Sequence, residues 1–245
     1  MSVLPYCNMP TPSYQIHCTR NERIANGIYE ITFEKPAGFD FIPGQFILLD
    51  VPLIENPYDI QTRSYSLASA PSEDELLLVL KMKEGGRASR WVEETLKPGD
   101  IVRMQGPTGR FQLDRETNKD WLMICTSTGI APFRSQLVAF LSEETRRIDL
   151  IFGVRSVEDL FWSNWLNDLA RKHENLSVYI TLTNPSENWQ GLHGRVQSIV
   201  PNICTDFSRT QLYVCGNPEM TKEIKTMALE VWGVAKDDFH MEGYI

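Results

Sequence analysis

The chain has 245 residues, 42% of them hydrophobic, and a net charge of −8 with both halves mildly acidic. This is enough for one large domain or two ordinary ones, and the acidic balance excludes nucleic acid as a main partner. No apolar run reaches the length of a membrane span, and the opening MSVLPYCNMPTPSY lacks the basic start and apolar core of a secretory signal. A soluble cytoplasmic protein, monomeric and not bound to a membrane, is therefore expected.

The first dozen residues, rich in Pro and polar side chains, read as a loose arm. Short strand-like runs follow at Tyr14–Arg20, Ile28–Phe33, Phe46–Val51, Arg63–Ser69 and Leu76–Met82. Turn signals separate them at Asn26-Gly27, Pro36 with Gly38, Pro43-Gly44 and Asn56-Pro57. Strands at this spacing, without helices between them, predict a closed antiparallel barrel. Within Thr62–Ser69, alternation points Tyr65 and Leu67 to one face and Ser64, Ser66 and Ala68 to the other. Arg63 offers a fork of donors suited to phosphate, Tyr65 an aromatic face and Ser66 a small hydroxyl. Such a strand could hold a large aromatic cofactor ending in phosphates, or be an edge strand with a solvated Arg.

Lys83-Glu84-Gly85-Gly86-Arg87-Ala88-Ser89 leads into a short predicted helix, Arg90–Leu96, which stops at Lys97-Pro98-Gly99. The two glycines let backbone approach a ligand, and the helix N-terminus favours an anion. Ser89 can cap the helix or donate to that anion. Ile101–Gln105 reads as the last barrel strand, and Gly106–Phe111 as a tight turn with a core Phe. The polar stretch Asp114–Asp120 is the linker candidate, dividing the chain into residues 1–115 and 116–245.

From Trp121 the pattern changes. Trp121–Thr126 is a short apolar run without alternation, as expected for a buried parallel strand, and Ile148–Val154, Leu176–Leu182 and Leu212–Cys215 read as the second, third and fourth strands. Helical segments are predicted between and after them at Phe133–Leu141, Leu160–His173, Val196–Val200 and Pro218–Trp232. This alternation predicts a doubly wound parallel sheet. Ser127–Phe133, STGIAPF, sits at a strand-to-helix turn, where Gly129 would let a dinucleotide pass close to the helix N-terminus. Arg155 ends the second strand and could grip a 2′-phosphate or be a surface Arg.

Several of these segments together resemble the ferredoxin–NADP reductase family of flavoproteins. RSYS (Arg63–Ser66) is similar to its flavin signature, PGQ (Pro43–Gln45) to a turn before a barrel strand, and GPTGRF (Gly106–Phe111) to the turn closing the flavin domain. STGIAP matches its nucleotide segment, and CGNPEM (Cys215–Met220) its nicotinamide segment. The resemblance implies an antiparallel β-barrel FAD domain followed by an α/β doubly wound NAD(P) domain. FAD is expected to be non-covalent, and either NADP or NAD the hydride donor.

By resemblance, Arg63 and residues Gly85, Gly86, Arg87, Ala88 and Ser89 meet the FAD pyrophosphate, Tyr65 and Ser64 border the flavin, and Ser66 sits near N5. Thr128, Gly129 and Gly216 shape the nicotinamide site, and Cys215 guides hydride without acting as a nucleophile. The family often ends with a Glu followed by an aromatic covering the flavin, which Glu242 and Tyr244 match; a final strand with a core Tyr is the other reading. Family members that use NADP often carry a Ser-Arg pair after the third strand, where Thr183-Asn184-Pro185 stands here. Thr183 and Asn184 could suit the hydroxyl of NADH.

The cysteines Cys7, Cys18, Cys125, Cys204 and Cys215 are scattered and include no CxxC. They form neither a disulfide framework nor a zinc site, and lack the run of a plant-type iron–sulfur cluster; no metal is expected. Any one-electron centre other than flavin must then sit on a partner. The reading is a flavoprotein reductase passing electrons to or from ferredoxin or flavodoxin. The alternative is an NADH-dependent reductase supplying an oxygenase or free flavin. The basic stretch Lys81, Lys83, Arg87 and Arg90 is a candidate docking face for an acidic carrier.

Overall fold

The computed structural model describes residues 11–244. The expected loose arm falls mostly on residues 1–10, which together with Ile245 lie outside the described residues. The first unit contains strands β1 (Ser13–Ala25), β2 (Ile28–Glu34), β3 (Phe46–Leu53), β4 (Asn56–Ser66) and β5 (Glu75–Lys81), then helix α1 (Arg87–Glu94) and strand β6 (Ile101–Thr108). They form one antiparallel six-stranded sheet in the order β4-β3-β6-β1-β2-β5. The two outer strands have no ladder between them. Ala68 N–H donates to Leu77 O at 2.8 Å, and Leu77 N–H to Ser69 Oγ at 3.0 Å, so the expected closed barrel is pinned just past the end of β4.

Period-two alternation sends Ile47, Leu49 and Val51 of β3 inward with Ile16, Val102 and Met104. In β5 the apolar run Leu76–Leu80 serves two cores. Leu76, Leu78 and Leu80 fill the barrel, while Leu77 and Val79 face the second unit. Helix α1 covers one end of the barrel with Trp91 and Val92.

The second unit contains β7 (Asp120–Thr126), α2 (Ala131–Phe140), β8 (Ile148–Val154), α3 (Ser163–Lys172) and β9 (Leu176–Leu182). It continues with β10 (Leu192–His193), α4 (Val196–Ile203), β11 (Thr210–Gly216), α5 (Pro218–Glu230) and β12 (Phe239–Gly243). All strand pairs are parallel, in the order β10-β9-β8-β7-β11-β12. Strand order reverses between β7 and β11, and ligands of such sheets bind at the carboxyl ends flanking that switch.

Several element boundaries differ from expectation. The turn before β4 is at residues 54–55; Asn56 and Pro57 begin the strand instead, which β4 tolerates because it is an edge. Strand β4 stops at Ser66 rather than Ser69. Helix α1 starts at Arg87, and α3 starts at Ser163 because Trp162 adopts a left-handed φ of 56°. The tail does form a final strand, β12.

The segment between β6 and β7 is held rather than loose. Arg146 donates to the carbonyls of Asp114, Arg115 and Lys119 at 3.4, 3.3 and 3.2 Å, with its guanidinium 4.1 Å from the Trp121 ring centroid. Phe111 meets Phe133 edge-on at 5.5 Å, and Ile28, Ala68, Leu77 and Val79 share one buried cluster with Trp121 and Phe133. The two sheets therefore flank a common apolar seam, which fixes the ends of β4, β7 and β11 against each other.

Candidate active site

The last residues of β4 and the turns after β7 and β11 line one cavity of about 500 Å³. Ser64, Tyr65 and Ser66 form one wall; Thr126, Ser127, Thr128 and Gly216 form another. Such a volume suits a small-molecule or cofactor site. Burial pushes the Tyr65 hydroxyl up to about 12, only partly opposed by nearby Arg63, so the residue is neutral and offers an uncharged ring. Arg63 is exposed, and its guanidinium bonds only the adjacent Thr62 carbonyl, at 3.1 Å, among the described residues. It is free for an anion.

The opposite wall owes its shape to two glycines. A Cβ on Gly129 would lie 2.4 Å from Cys215 O and 2.6 Å from Gly216 Cα. A Cβ on Gly216, where φ is +137°, would lie 2.5 Å from Thr126 Oγ1 and 2.8 Å from Thr126 O. The turns after β7 and β11 thus interlock through backbone at the switch point. Ser127 takes a left-handed φ of 51° at the same place, a conformation unusual for serine. Asn217 donates its N–H to Thr126 Oγ1 at 3.2 Å and caps α5, accepting from Glu219 N–H at 2.8 Å.

Strand β12 brings the tail in. Its register sets Glu242 beside Cys215 and Gly243 beside Gly216, and Tyr244 N–H donates to Gly216 O at 3.1 Å. Ser66 Oγ donates to Glu242 Oε1 at 2.9 Å across the two units. Burial raises the Glu242 carboxyl above the ordinary glutamate range, and the Ser66 bond pulls it only part of the way back. Cys215 is fully buried, in direct register with Cys125, and burial raises its thiol well above normal. A neutral buried thiol is no nucleophile. The buried Tyr244 hydroxyl lies near Ser66 and Cys215 and has no hydrogen-bond partner among the described residues. The residues expected to be catalytic, Ser66, Cys215, Glu242 and Tyr244, therefore meet at one point.

A second cavity, of about 330 Å³, shares Lys81, Thr126, Ser127 and Asn217 with the first. The two make one furrow running over the carboxyl ends of the strands. Arg155 and Thr183 line its far end. So does Arg195, which motif reading missed; a lone Arg at the start of a short helix has no local signature. Neither Arg155 nor Arg195 pairs with a carboxylate among the described residues. Asn184 does not line the cavity; its N–H donates to Arg155 O at 2.7 Å and holds the loop. Lys81, read as part of a docking face, instead lines both cavities at their junction.

The glycine turn before α1 is placed differently in detail. Gly85, Gly86, Arg87, Ala88 and Ser89 line neither cavity, though Lys83 lines the first. Ser89 neither caps the helix nor faces outward, because its Oγ accepts from Lys83 N–H at 2.7 Å. Arg87 pairs with Asp59 at 2.9 Å, and Arg90 with Glu55 at 2.7 Å. Two of the four basic residues are thus neutralised, and the stretch is not a continuous docking face. The first turn of α1 has no side-chain cap, leaving its N–H groups for an anion. An uncapped helix end, the free Arg63, the neutral Tyr65 ring and the orphaned Tyr244 hydroxyl together fit a flavin carrying a pyrophosphate.

Comparison with known proteins agrees. The family model described as the oxidoreductase FAD-binding domain matches residues 16–113, and the oxidoreductase NAD-binding domain matches residues 123–226. The chain is 31% identical over 227 residues to ferredoxin–NADP reductase B of Sorangium cellulosum, covering 89% of this chain and 91% of that one. It is 32% identical over 195 residues to the reductase component of phenol 2-monooxygenase from Pseudomonas sp. strain CF600. That match covers 78% of this chain but 53% of the relative, so the chain spans about half the length of that oxygenase reductase. Among solved structures, a ferredoxin NADP+ reductase from Neisseria gonorrhoeae with bound FAD and NADP superposes with a TM-score of 0.83 at 23% identity, covering 95% of this chain and 99% of that one. A cytochrome P450 reductase from Amycolatopsis superposes with a TM-score of 0.85 at 23% identity, covering 99% of this chain and 73% of that one.

Proposed function

The chain belongs to the ferredoxin–NADP reductase family of FAD- and NAD(P)-dependent oxidoreductases, and on that premise we propose that it oxidises NADPH and passes the electrons to a separate ferredoxin or flavodoxin. The observation that carries this reading is the meeting of Ser66, Glu242, Cys215 and Tyr244 where the flavin strand faces the nucleotide turns. FAD, when bound, supplies the exchange between two-electron and one-electron chemistry. Arg63 and the first turn of α1 would hold its pyrophosphate, and Tyr65 its ring.

The protein's part is orientation and proton handling. Gly129 and Gly216 would keep the nicotinamide floor low, and Cys215, buried at the end of β11 and lining neither cavity, keeps its thiol proton. Ser66 Oγ would lie at the ring edge, its O–H already donated to Glu242 Oε1 and its lone pairs left to accept. Glu242, half-buried and inclined to hold its proton, lies one hydrogen bond behind. Tyr244 covers the site from the nucleotide side and has to move when nicotinamide enters.

The preference for NADPH rests on Arg155 and Arg195. Two guanidiniums at the far end of the furrow suit the 2′-phosphate, and charge-assisted contacts of this kind are worth about 1.5–3 kcal/mol each, roughly 10–100-fold. In stopped-flow reduction the wild type should prefer NADPH. Arg195→Gln should lower the NADPH-to-NADH ratio of kcat/KM at least tenfold while leaving NADH rates near normal. A wild type faster with NADH, and indifferent to Arg195→Gln, would favour the alternative, an NADH-dependent reductase feeding an oxygenase. The similarity to the phenol 2-monooxygenase reductase component supports that alternative.

The general reading is tested by isolating the protein. It should be yellow, bleach on anaerobic addition of NAD(P)H, and then reduce a one-electron carrier. Protein that binds no added FAD would end it.

A further inference from the structure

We propose that Arg134 is a positioning residue that sets the spacing between the flavin strand and the nucleotide turn; the inference rests on the reductase reading above. Arg134 is the fourth residue of α2, the helix that follows Ser127–Ile130 directly. Its Nη1 donates to Ala68 O at 2.7 Å and to Glu73 Oε2 at 2.9 Å, and Nη2 donates to Glu73 Oε1 at 2.9 Å. Ala68 lies two residues beyond Ser66. One side chain therefore joins the segment that carries the ring-edge hydroxyl to the helix that carries the nicotinamide floor.

Both ends of this link are fixed. On the barrel side, Ala68 N–H is bonded to Leu77 O at 2.8 Å, and Glu73 Oε2 also accepts from Ala70 N–H at 2.6 Å. On the other side, the guanidinium lies 5.7 and 5.5 Å from the ring centroids of Trp162 and Trp165. Trp162 Nε1 in turn donates to Glu30 Oε2 at 2.7 Å, back on the barrel. The Arg134 side chain is only 15% exposed, so solvent screens these bonds weakly. A planar fork is required here: the bidentate grip on Glu73, the carbonyl contact and the packing against indole are not reproduced by lysine.

Other contacts also cross the seam, such as Gln136 Nε2 to Phe111 O at 2.8 Å and Asn26 N–H to Glu158 O at 2.8 Å. These hold the units together. Arg134 differs from these two in that it ends on Ala68, two residues beyond Ser66, so its loss should alter the gap more than the cohesion. A displacement of about 1 Å at the reacting atoms can cost on the order of 10²-fold in rate.

The test uses the FAD-loaded full chain, with Arg134→Gln, Arg134→Lys and Glu73→Gln, in anaerobic stopped flow at saturating NADPH. Flavin reduction should slow at least tenfold in Arg134→Gln and Glu73→Gln, with an intermediate loss in Arg134→Lys. The long-wavelength charge-transfer absorbance between nicotinamide and flavin should weaken in the same order. FAD content should stay stoichiometric, and oxidation of dithionite-reduced flavin by ferricyanide should stay at the wild-type rate, because electron exit does not use this gap. Wild-type reduction rates and charge-transfer absorbance in all three variants would overturn the proposal. Loss of FAD, or equal slowing of ferricyanide reduction, would assign the pair to structure alone and overturn it too. If the wild type itself is not bleached by NADPH or NADH, the reductase reading fails, an outcome distinct from these.

Discussion

Gly129→Ala should slow nucleotide-driven flavin reduction by at least about 10²-fold while the barrel keeps its FAD, because small displacements at the reacting centre carry costs of that order. The added Cβ would meet Cys215 O at 2.4 Å, Cys215 C at 2.6 Å and Gly216 Cα at 2.6 Å. All three are backbone atoms of a strand end hydrogen-bonded on both sides, by β7 and β12, so none can rotate away. The turn after β7 has to rise from the sheet, lifting Ser127 and Thr128 in the cavity wall. Overpacking of this kind also costs about 1–3 kcal/mol of stability, so the melting temperature should fall by several degrees.

Gly153→Ala provides the contrast. Its Cβ would lie 2.5 Å from Val196 Cγ1, a side-chain methyl that can rotate, and it lines only the far end of the furrow. That variant should lose affinity for the nucleotide several-fold but keep the reduction rate at saturation. Equal rates at saturating nucleotide for wild type and Gly129→Ala would show that the interlocked turns do not form the nicotinamide floor.

Much of the architecture is legible in local pattern because local pattern causes it. The alternation in β3 and the apolar run Trp121–Cys125 of β7 follow from how many faces each strand buries. Misplaced boundaries have non-local causes. Asn56-Pro57 has turn chemistry, yet its place on an outer strand lets it extend. Trp162, left-handed at the start of α3, is tied through its indole N–H to Glu30, 132 positions away in the barrel.

The site divides in the same way. Ser66, Cys215 and Gly129 lie in recognisable short motifs. The pairing of Ser66 with Glu242, 176 positions apart, is produced by the register of β12 on β11 and could not be read from spacing. Ser89 suits a cap by type, but a backbone N–H six residues earlier claims its hydroxyl. Arg195 lines the furrow from the N-cap of α4, directly after Gly194 at φ +124°.

The pairing of Ser66 with Glu242 makes the other large prediction. Ser66→Ala should retain FAD, since the contacts assigned to the cofactor's phosphates and ring lie on other residues, yet lower the rate of flavin reduction by about 10²-fold, the usual cost of deleting one preorganised hydrogen-bonding group at a reacting centre. The same change removes the only influence that lowers the Glu242 carboxyl, so that group should titrate at still higher pH. Any limb of the rate profile that follows Glu242 should then move to higher pH in Ser66→Ala and vanish in Glu242→Gln.

Stability provides an independent reading of the same group. A carboxyl whose folded value is raised holds its proton more tightly when folded. Its contribution is therefore full below the ordinary glutamate value and is lost as pH rises through the raised one. Glu242→Gln stays neutral and removes that loss. Its melting temperature should gain on the wild type as pH rises above the ordinary glutamate value, and run parallel once pH has passed the raised one. A constant difference across that range would mean that Glu242 is not held protonated by its surroundings. A proton needed at the ring edge would then have to come by a route that avoids Glu242, and the tail would serve only as a cover.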